Sequence, residues 1–477
     1  MKISSGFVEQ EACIPHLAKQ VVLEKLQPRS RRSGNDWFVP HLQVLELEHN
    51  SFLGGELSIF NGEFPCLGLG AKMERWKRLM LVYMKEIDVQ PDVFTFSALI
   101  NGYCSQGELH NAEDIFQLAV NSEVKPDIIS YNSLMNGYCL QGKMYEADCI
   151  LQLAVNSEVQ PDIISYNTLM NGYCLQGKMY EADCILQLAV NSGIQPDIIS
   201  YNTLMNGYCK MGQVDEVSRL FTIIPAKRLK RNVVSYNIML KALFSEGRCE
   251  DGVNLFEEME ARQVSPDIRT YNIVLDGLCG AHRIAEAFPL LHIMEDKGII
   301  PNIVTYNILI EGLCNDNKVG EAKDLINELP SKGLHPDVIT YNILIGALCE
   351  EGHIEEAKDL FHELPSKVFQ PHVNTYTILI SALCEEGQIE EAKDLMTQMV
   401  NNGCLPDSVT YNVFARGLLK RNKMHDVIPL LEEMDSRGFT LDKTAYSMLI
   451  EHVKREGRDS VLFDKVKKLL PKDIYSS

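Results

Sequence analysis

Apolar residues along most of the chain fall into two alternating stripes at helical spacing, and the pair of stripes returns every 35 residues. In the stretch from Ile303 to Asp337, Tyr306, Leu309, Ile310 and Leu313 recur at one- to three-residue steps, and Ala322, Leu325 and Leu329 form a second stripe after a break. Each stripe predicts an amphipathic helix. One hairpin cannot bury its own apolar faces, so neighbouring hairpins must cover one another. The phrase Tyr-Asn marks the register at 131, 166, 201, 236, 271, 306, 341 and 411. Eleven units begin at Val93, Ile128, Ile163, Ile198, Val233, Ile268, Ile303, Val338, Val373, Ser408 and Lys443. The pattern predicts an all-α fold, a right-handed α-solenoid superhelix of stacked 35-residue helix-turn-helix repeats.

The punctuation between the stripes is as regular as the stripes. Position fifteen is Gly107, Gly142, Gly177, Gly212, Gly247, His282, Asn317, Gly352, Gly387 and Asn422 in the first ten units. Gly and Asn enter the left-handed conformation cheaply, so this position is expected to end the first helix. Position ten is always Gly or Ala in those units, as in Gly137, Gly312 and Ala347, which lets helices approach closely. Most units close on Pro-Asp or a near variant, as in Pro161-Asp162 and Pro336-Asp337. The proline is expected to stop the second helix, and the Ser or Thr that follows to cap the next. Units two and three differ only at Ser133/Thr168, Glu158/Gly193 and Val159/Ile194, which reads as a late duplication.

Composition adds less. No apolar run reaches the length of a membrane span, so no membrane segment is expected. Eight of the 14 cysteines (Cys104, Cys139, Cys174, Cys209, Cys279, Cys314, Cys349 and Cys384) recur at multiples of the repeat and no CxxC pair occurs. They read as small buried hydrophobes in a reducing compartment, with no metal or cofactor implied. The net charge of -20 opposes nucleic-acid binding, because phosphate attraction normally leaves a basic footprint.

The unit length, the Val-Thr-Tyr-Asn-x-Leu-Ile opening (Val304 to Ile310), Gly-Leu-Cys (Gly312 to Cys314), Glu321-Ala322 and the closing Pro-Asp resemble the pentatricopeptide repeat. The uniform 35-residue units resemble its P class, and the near-identical repeats with Asn after Tyr are similar to restorer-of-fertility-like members. The resemblance implies sequence-selective binding of single-stranded RNA, one base per repeat. Position five and the last residue of each unit would read the base, and position two would pack on it. The base-reading pairs are then Ser97/Asp127, Asn132/Asp162, Asn167/Asp197, Asn202/Asn232, Asn237/Asp267, Asn272/Asn302, Asn307/Asp337, Asn342/His372, Thr377/Asp407 and Asn412/Asp442. An amide or hydroxyl can satisfy a base edge, and the adjoining carboxylate or amide separates donors from acceptors. Base-packing residues are Phe94, Ile129, Ile164, Ile199, Val234, Val304, Ile339 and Val409, whereas Arg269 and Asn374 break the aliphatic pattern. Read from the RNA 5′ end, the family's preferences give G-U-U-(C/U)-U-(C/U)-U-N-G-U, a pyrimidine-rich site in which the first and eighth positions are least defined. The same Asp and Asn residues also suit a purely structural part, the Asp capping a helix and the Asn bonding backbone.

Position thirteen, where the family often carries a phosphate-binding Lys, offers Lys210 and Lys420 and, in the last unit, Arg455, but Glu350 and Glu385 elsewhere. A phosphate-poor groove follows, with a shallow salt dependence. The expected organisation is a non-repeat segment over 1–71, a partial repeat over 72–92, ten repeats over 93–442 and a degenerate capping repeat over 443–477. No His-x-Glu with Cys-x-x-Cys follows the repeats, so the chain is not expected to be an enzyme. The implied setting is stabilisation, processing or translation of an organellar transcript by a monomer, with a recruited nuclease as a further partner. The compartment is mitochondrial by family habit, with the chloroplast as alternative, although Glu9 and Glu11 are unlike a transit peptide. A protein-binding scaffold like tetratricopeptide arrays is the competing reading, favoured by the acidic balance, and a decayed paralogue is a third.

Overall fold

A computed structural model of the chain describes residues 90–122, 124–364 and 369–456. These residues form an all-α repeat solenoid of 21 α-helices and one 3-10 turn, Leu329–Lys332, with no strand among them. The first helices start at the eleven residues expected, from Val93–Ser105 through Ile163–Leu175 to Lys443–Glu456. Each of the ten preceding repeats adds a second helix, such as Met179–Asn191 after Ile163–Leu175. The expectations for residues 1–89, and for the end of the last repeat after Glu456, lie outside the described residues.

The helix starts agree with the units because the start signal is local. Asp162 accepts the Ser165 N–H at 2.9 Å, and the Ser165 hydroxyl receives the Asp162 N–H at 3.2 Å, a reciprocal capping box. Similar boxes form at Asp197, Asp267, Asn302 and Asp337. This corrects one expectation. The unit's last residue is the cap, and the Ser or Thr is its partner three residues on, because only the residue before the helix has the extended backbone that turns its carboxylate onto the free N–H groups.

Position fifteen is left-handed in all ten repeats, from Gly107 (φ 77°) to His282 and Asn422 (both φ 57°). A second left-handed position, thirty-one, was not anticipated: Glu158 (φ 61°), Gly193 (φ 80°), Arg228 (φ 61°) and Gln263 (φ 62°) occupy it in successive repeats. It ends the second helix three residues before the closing proline, so that proline is not the terminator. Pro225, Pro289 and Pro429 lie within second helices. The closing proline instead holds the extended approach to the cap.

The chain divides into two compact units, Met1–Ala242 and Leu243–Ser477. In the first, Ile100, Phe116, Leu134, Met135 and Ile150 are fully buried between hairpins. In the second, Leu309 and Ile345 are buried at positions seven and eight, as Leu134 and Met135 are in the first, and Tyr271, Tyr306 and Tyr376 are buried at position four. The small residue at position ten and the cysteine at position twelve prove to be one device. A Cβ added at Gly137 or Gly172 would lie 2.5 Å from the sulfur of Cys104 or Cys139, the position-twelve thiol of the preceding repeat. Burial pushes the thiols of Cys139, Cys174 and Cys384 up to about 12, so they remain neutral packing groups.

Candidate functional site

Positions two, nine and thirteen of a first helix are seven and four residues apart, so at about 100° per residue they share one face, with position five beside it. That face carries the candidate site. The eight position-two residues Phe94, Ile129, Ile164, Ile199, Val234, Val304, Ile339 and Val409 are 48–60% exposed, while two residues on Phe96, Tyr131, Tyr166, Tyr201, Tyr236, Tyr306 and Tyr411 are buried and Tyr341 is half-buried. Packing does not account for a large apolar side chain left in solvent at the same place in eight repeats.

Position five is recessed beside it. Asn202, Asn237, Asn307 and Asn412 are 5–7% exposed, and Ser97 is buried. Asn132, Asn167 and Asn307 donate through Nδ2 to Oδ1 of Asp162, Asp197 and Asp337 at 3.3, 3.3 and 3.2 Å. Asn202 donates likewise to Asn232 Oδ1 at 3.1 Å. The structure thus brings these predicted pairs together, across 30 residues of sequence. Facing a carboxylate with Nδ2 points the amide oxygen away from it. The Oδ1 atoms of Asn132, Asn167 and Asn342 are buried without a hydrogen-bond partner in the protein. A buried acceptor left so costs about 1–3 kcal/mol, which a ligand donor could recover. In repeats six and seven that oxygen instead accepts from the Thr305 and Thr340 hydroxyls, at 2.8 and 2.7 Å from Asn272 and Asn307.

The last residues that accept from position five also cap helices. Asp127, Asp162, Asp197, Asp267, Asp337 and Asp407 each cap the next helix through the side chain. Burial alone would raise the Asp337 carboxyl, yet the Thr340 N–H, the Asn307 amide and the Thr340 hydroxyl hold it below the ordinary carboxylate value. Capping and base reading are therefore compatible at one residue, because a carboxylate has two oxygens.

Other pairs depart from this geometry. Ser97 lies 3.2 Å from Asp127 Oδ1, but its single hydroxyl hydrogen also faces the Val93 carbonyl, at 2.8 Å. Thr377 bonds the Val373 carbonyl at 2.8 Å and meets the Thr410 hydroxyl, also at 2.8 Å. His372 replaces the carboxylate with a ring nitrogen 3.4 Å from the Thr375 hydroxyl. Asn412 turns instead to the Ser408 and Thr440 carbonyls, and Asp442 is held by Arg416.

Lys210 and Lys420 stand exposed in the last turns of their helices, where a cation also complements the helix C-terminus. Position nine was not singled out from sequence, although it lies between positions two and thirteen on this face. It carries Asn101, Asn136, Asn171 and Asn206 in the first four repeats and Asp276 and Glu311 in the sixth and seventh. Burial, and then the Asp276 charge, raise the Glu311 carboxyl.

Tandem helical hairpins stacked by Gly against Cys, with an exposed apolar residue at position two in eight of them, define a repeat-solenoid protein. The chain belongs to the pentatricopeptide repeat family. The PPR repeat family matches residues 91–140, 126–174, 161–210, 231–280, 270–315, 301–350, 336–385 and 371–420. The PPR repeat matches 199–227 and 409–439. Among solved structures the chain is similar to the maize pentatricopeptide repeat protein PPR10, at 17% identity over 89% of this chain and 72% of that one, with a TM-score of 0.47. PPR10 in complex with an 18-nt psaJ RNA element is similar at 19% identity over 82% of this chain and 66% of that one, with a TM-score of 0.43. Yeast Rmd9p in complex with a 16-nt target RNA is similar at 10% identity, covering 78% and 86%, with a TM-score of 0.37. No curated protein matches the chain.

Proposed function

We propose that the repeats bind single-stranded RNA, one base per repeat, along the face formed by positions two and five and the last residue. The observation that carries this reading is the column of eight exposed position-two side chains, each set beside a recessed amide or hydroxyl. An aliphatic or aromatic surface packs on any base face, and the polar pair behind it reads the edge. Membership of the family supports the same reading. The site is the pyrimidine-rich G-U-U-(C/U)-U-(C/U)-U-N-G-U, and the protein acts as a P-class, restorer-of-fertility-like monomer on a mitochondrial transcript. It protects or blocks the RNA, or brings to it a nuclease supplied by another chain.

Binding of the purified protein to this RNA, to its permutation and to the matching DNA tests the reading. The cognate RNA is expected to bind at least about tenfold more tightly than either, since each mismatched base costs about 1–3 kcal/mol. Equal or absent binding to all three overturns it. With few cations on the face, affinity should fall only shallowly with salt. Asn167→Thr is expected to shift the third base from U toward G, and an unchanged preference would make Asn167 structural.

A further inference from the structure

We propose that repeat ten does not select U, as its Asn412/Asp442 pair implies, but accepts any base, and that Arg416 makes it so by occupying the reading carboxylate and holding the RNA backbone. The proposal rests on the base-reading function above.

Repeats seven and ten carry the same pair, Asn with Asp, in different arrangements. In repeat seven Asn307 spends one Nδ2 hydrogen on Asp337, at 3.2 Å, and its oxygen accepts from the Thr340 hydroxyl. An amide nitrogen has two hydrogens, so one N–H remains for a ligand. In repeat ten Asn412 Nδ2 donates to two backbone carbonyls, Ser408 at 2.8 Å and Thr440 at 3.1 Å. Both donors are spent. Its oxygen has turned to the Asp442 N–H, at 2.7 Å.

Part of the cause lies in the following repeat. Where the other repeats place Ser or Thr at position three, as in Ser235, Thr305 and Thr340, the eleventh has Ala445. With no hydroxyl to hold the amide oxygen and with Arg416 on Asp442, the side chain folds onto the backbone. Asp442 still caps the helix, accepting the Ala445 N–H at 2.7 Å through Oδ1. Its other oxygen, Oδ2, is bound by Arg416 Nη1. The pair therefore presents neither a free amide donor nor an unpaired carboxylate to a base.

Arg416 is at position nine, two helical turns from the exposed Val409 and on the same face. Its side chain is 32% exposed and that of Asp442 37%, so the ion pair faces solvent where RNA would lie. A guanidinium has five N–H donors and only one is engaged by Asp442 in this geometry. The remaining donors suit a phosphate, whose recognition is blind to sequence.

The test places each of the four bases opposite repeat ten in the proposed RNA, and separately opposite repeat seven, and measures affinity for the full chain. Changing the seventh base from U is expected to cost about tenfold and changing the tenth less than about twofold. Arg416→Asn, which installs the residue of the first four repeats, should weaken binding to all four tenth-base RNAs alike and lower the salt slope by about one. Combining Arg416→Asn with Ala445→Ser should create a U preference at the tenth base of about fivefold or more. Wild-type discrimination at the tenth base as sharp as at the seventh overturns the proposal, as does an unchanged salt slope in Arg416→Asn. Loss of discrimination at the seventh base as well overturns the base-reading function itself.

Discussion

Repeats one to four and repeats seven to ten use position twenty-one to tie each hairpin to the next, but with opposite chemistry. In the first group it is a carboxylate accepting from a tyrosine of the following repeat: Tyr138 to Glu113, Tyr173 to Asp148 at 2.6 Å, and Tyr208 to Asp183. In the second it is a lysine reaching an acid of the following repeat: Lys323 to Glu356 at 2.5 Å, Lys358 to Glu391 at 2.9 Å and Lys393 to Asp426 at 3.4 Å. The tyrosine ties are set largely within the packed interface, where a lost partner leaves a desolvated group. The lysine ties lie toward solvent, where exposed ion pairs contribute little and salt screens them. The same solenoid is therefore joined by hydrogen bonds in one region and by surface charge in the other. Three acids of the second helices, Glu356, Glu391 and Asp426, are the partners of these lysines.

Breaking one tie in each region exposes the contrast. Tyr173→Phe removes the donor and leaves Asp148 half-buried with a carboxylate unmet, for an expected loss of about 1–3 kcal/mol in denaturant unfolding. A loss below a few tenths would place that hydrogen bond in solvent terms. Exchanging the chemistry should rescue much of such a loss. Asp183→Lys combined with Tyr208→Leu sets the lysine near Glu216, and its unfolding midpoint should exceed that of Tyr208→Leu alone and fall with added salt. A double variant no better than the single one would show that the two ties cannot substitute for each other.

The next effect is a pH effect. Burial raises the Asp148 carboxyl above its ordinary value, against the lowering influence of Tyr173 and Lys178. A raised folded-state value means that the stability contributed by the protonated form is complete below the unfolded value and is lost as pH rises through the folded one. Asp148→Asn keeps an acceptor for Tyr173 without the charge. Its stability relative to wild type should thus improve as pH rises from about 4 to 7, by on the order of 1 kcal/mol. A flat difference across that range would mean that the carboxylate carries no burial cost. Smallest is Lys358→Ala, expected to cost about 0.5 kcal/mol at low salt and nothing measurable near 1 M salt.

The helix starts, the left-handed turn at position fifteen and the Gly column were all legible from residue spacing, because each depends on one residue and its immediate neighbours. The left-handed position thirty-one was hidden by its occupants. Glu158, Arg228 and Gln263 hold the conformation without the glycine that advertises it in Gly193 and Gly298. The Tyr/carboxylate ties were visible in principle as paired columns at positions eleven and twenty-one, but only once stacking had shown that residues 25 apart meet. In the candidate site, positions two and five lie on or beside one face of each first helix, and four of the pairs assigned through family resemblance are joined by a hydrogen bond. Position nine, where Arg416 and Glu311 stand, was passed over because no local signal distinguishes it.

Sequence alone determined the register of the repeats and the residue types of the two columns, since capping, left-handed turns and helical periodicity are decided within one turn of chain. Tertiary structure alone decided what those columns can do. Asn307 and Asn412 have the same residue identity and the same intended partner, yet one keeps an amide hydrogen and the other spends both. The difference comes from Thr340 and Ala445, 33 residues further on in the stacked neighbour, and from Arg416 across the pair. A side chain's remaining hydrogen-bonding capacity depends on which groups packing brings to it, and those groups come from the next repeat.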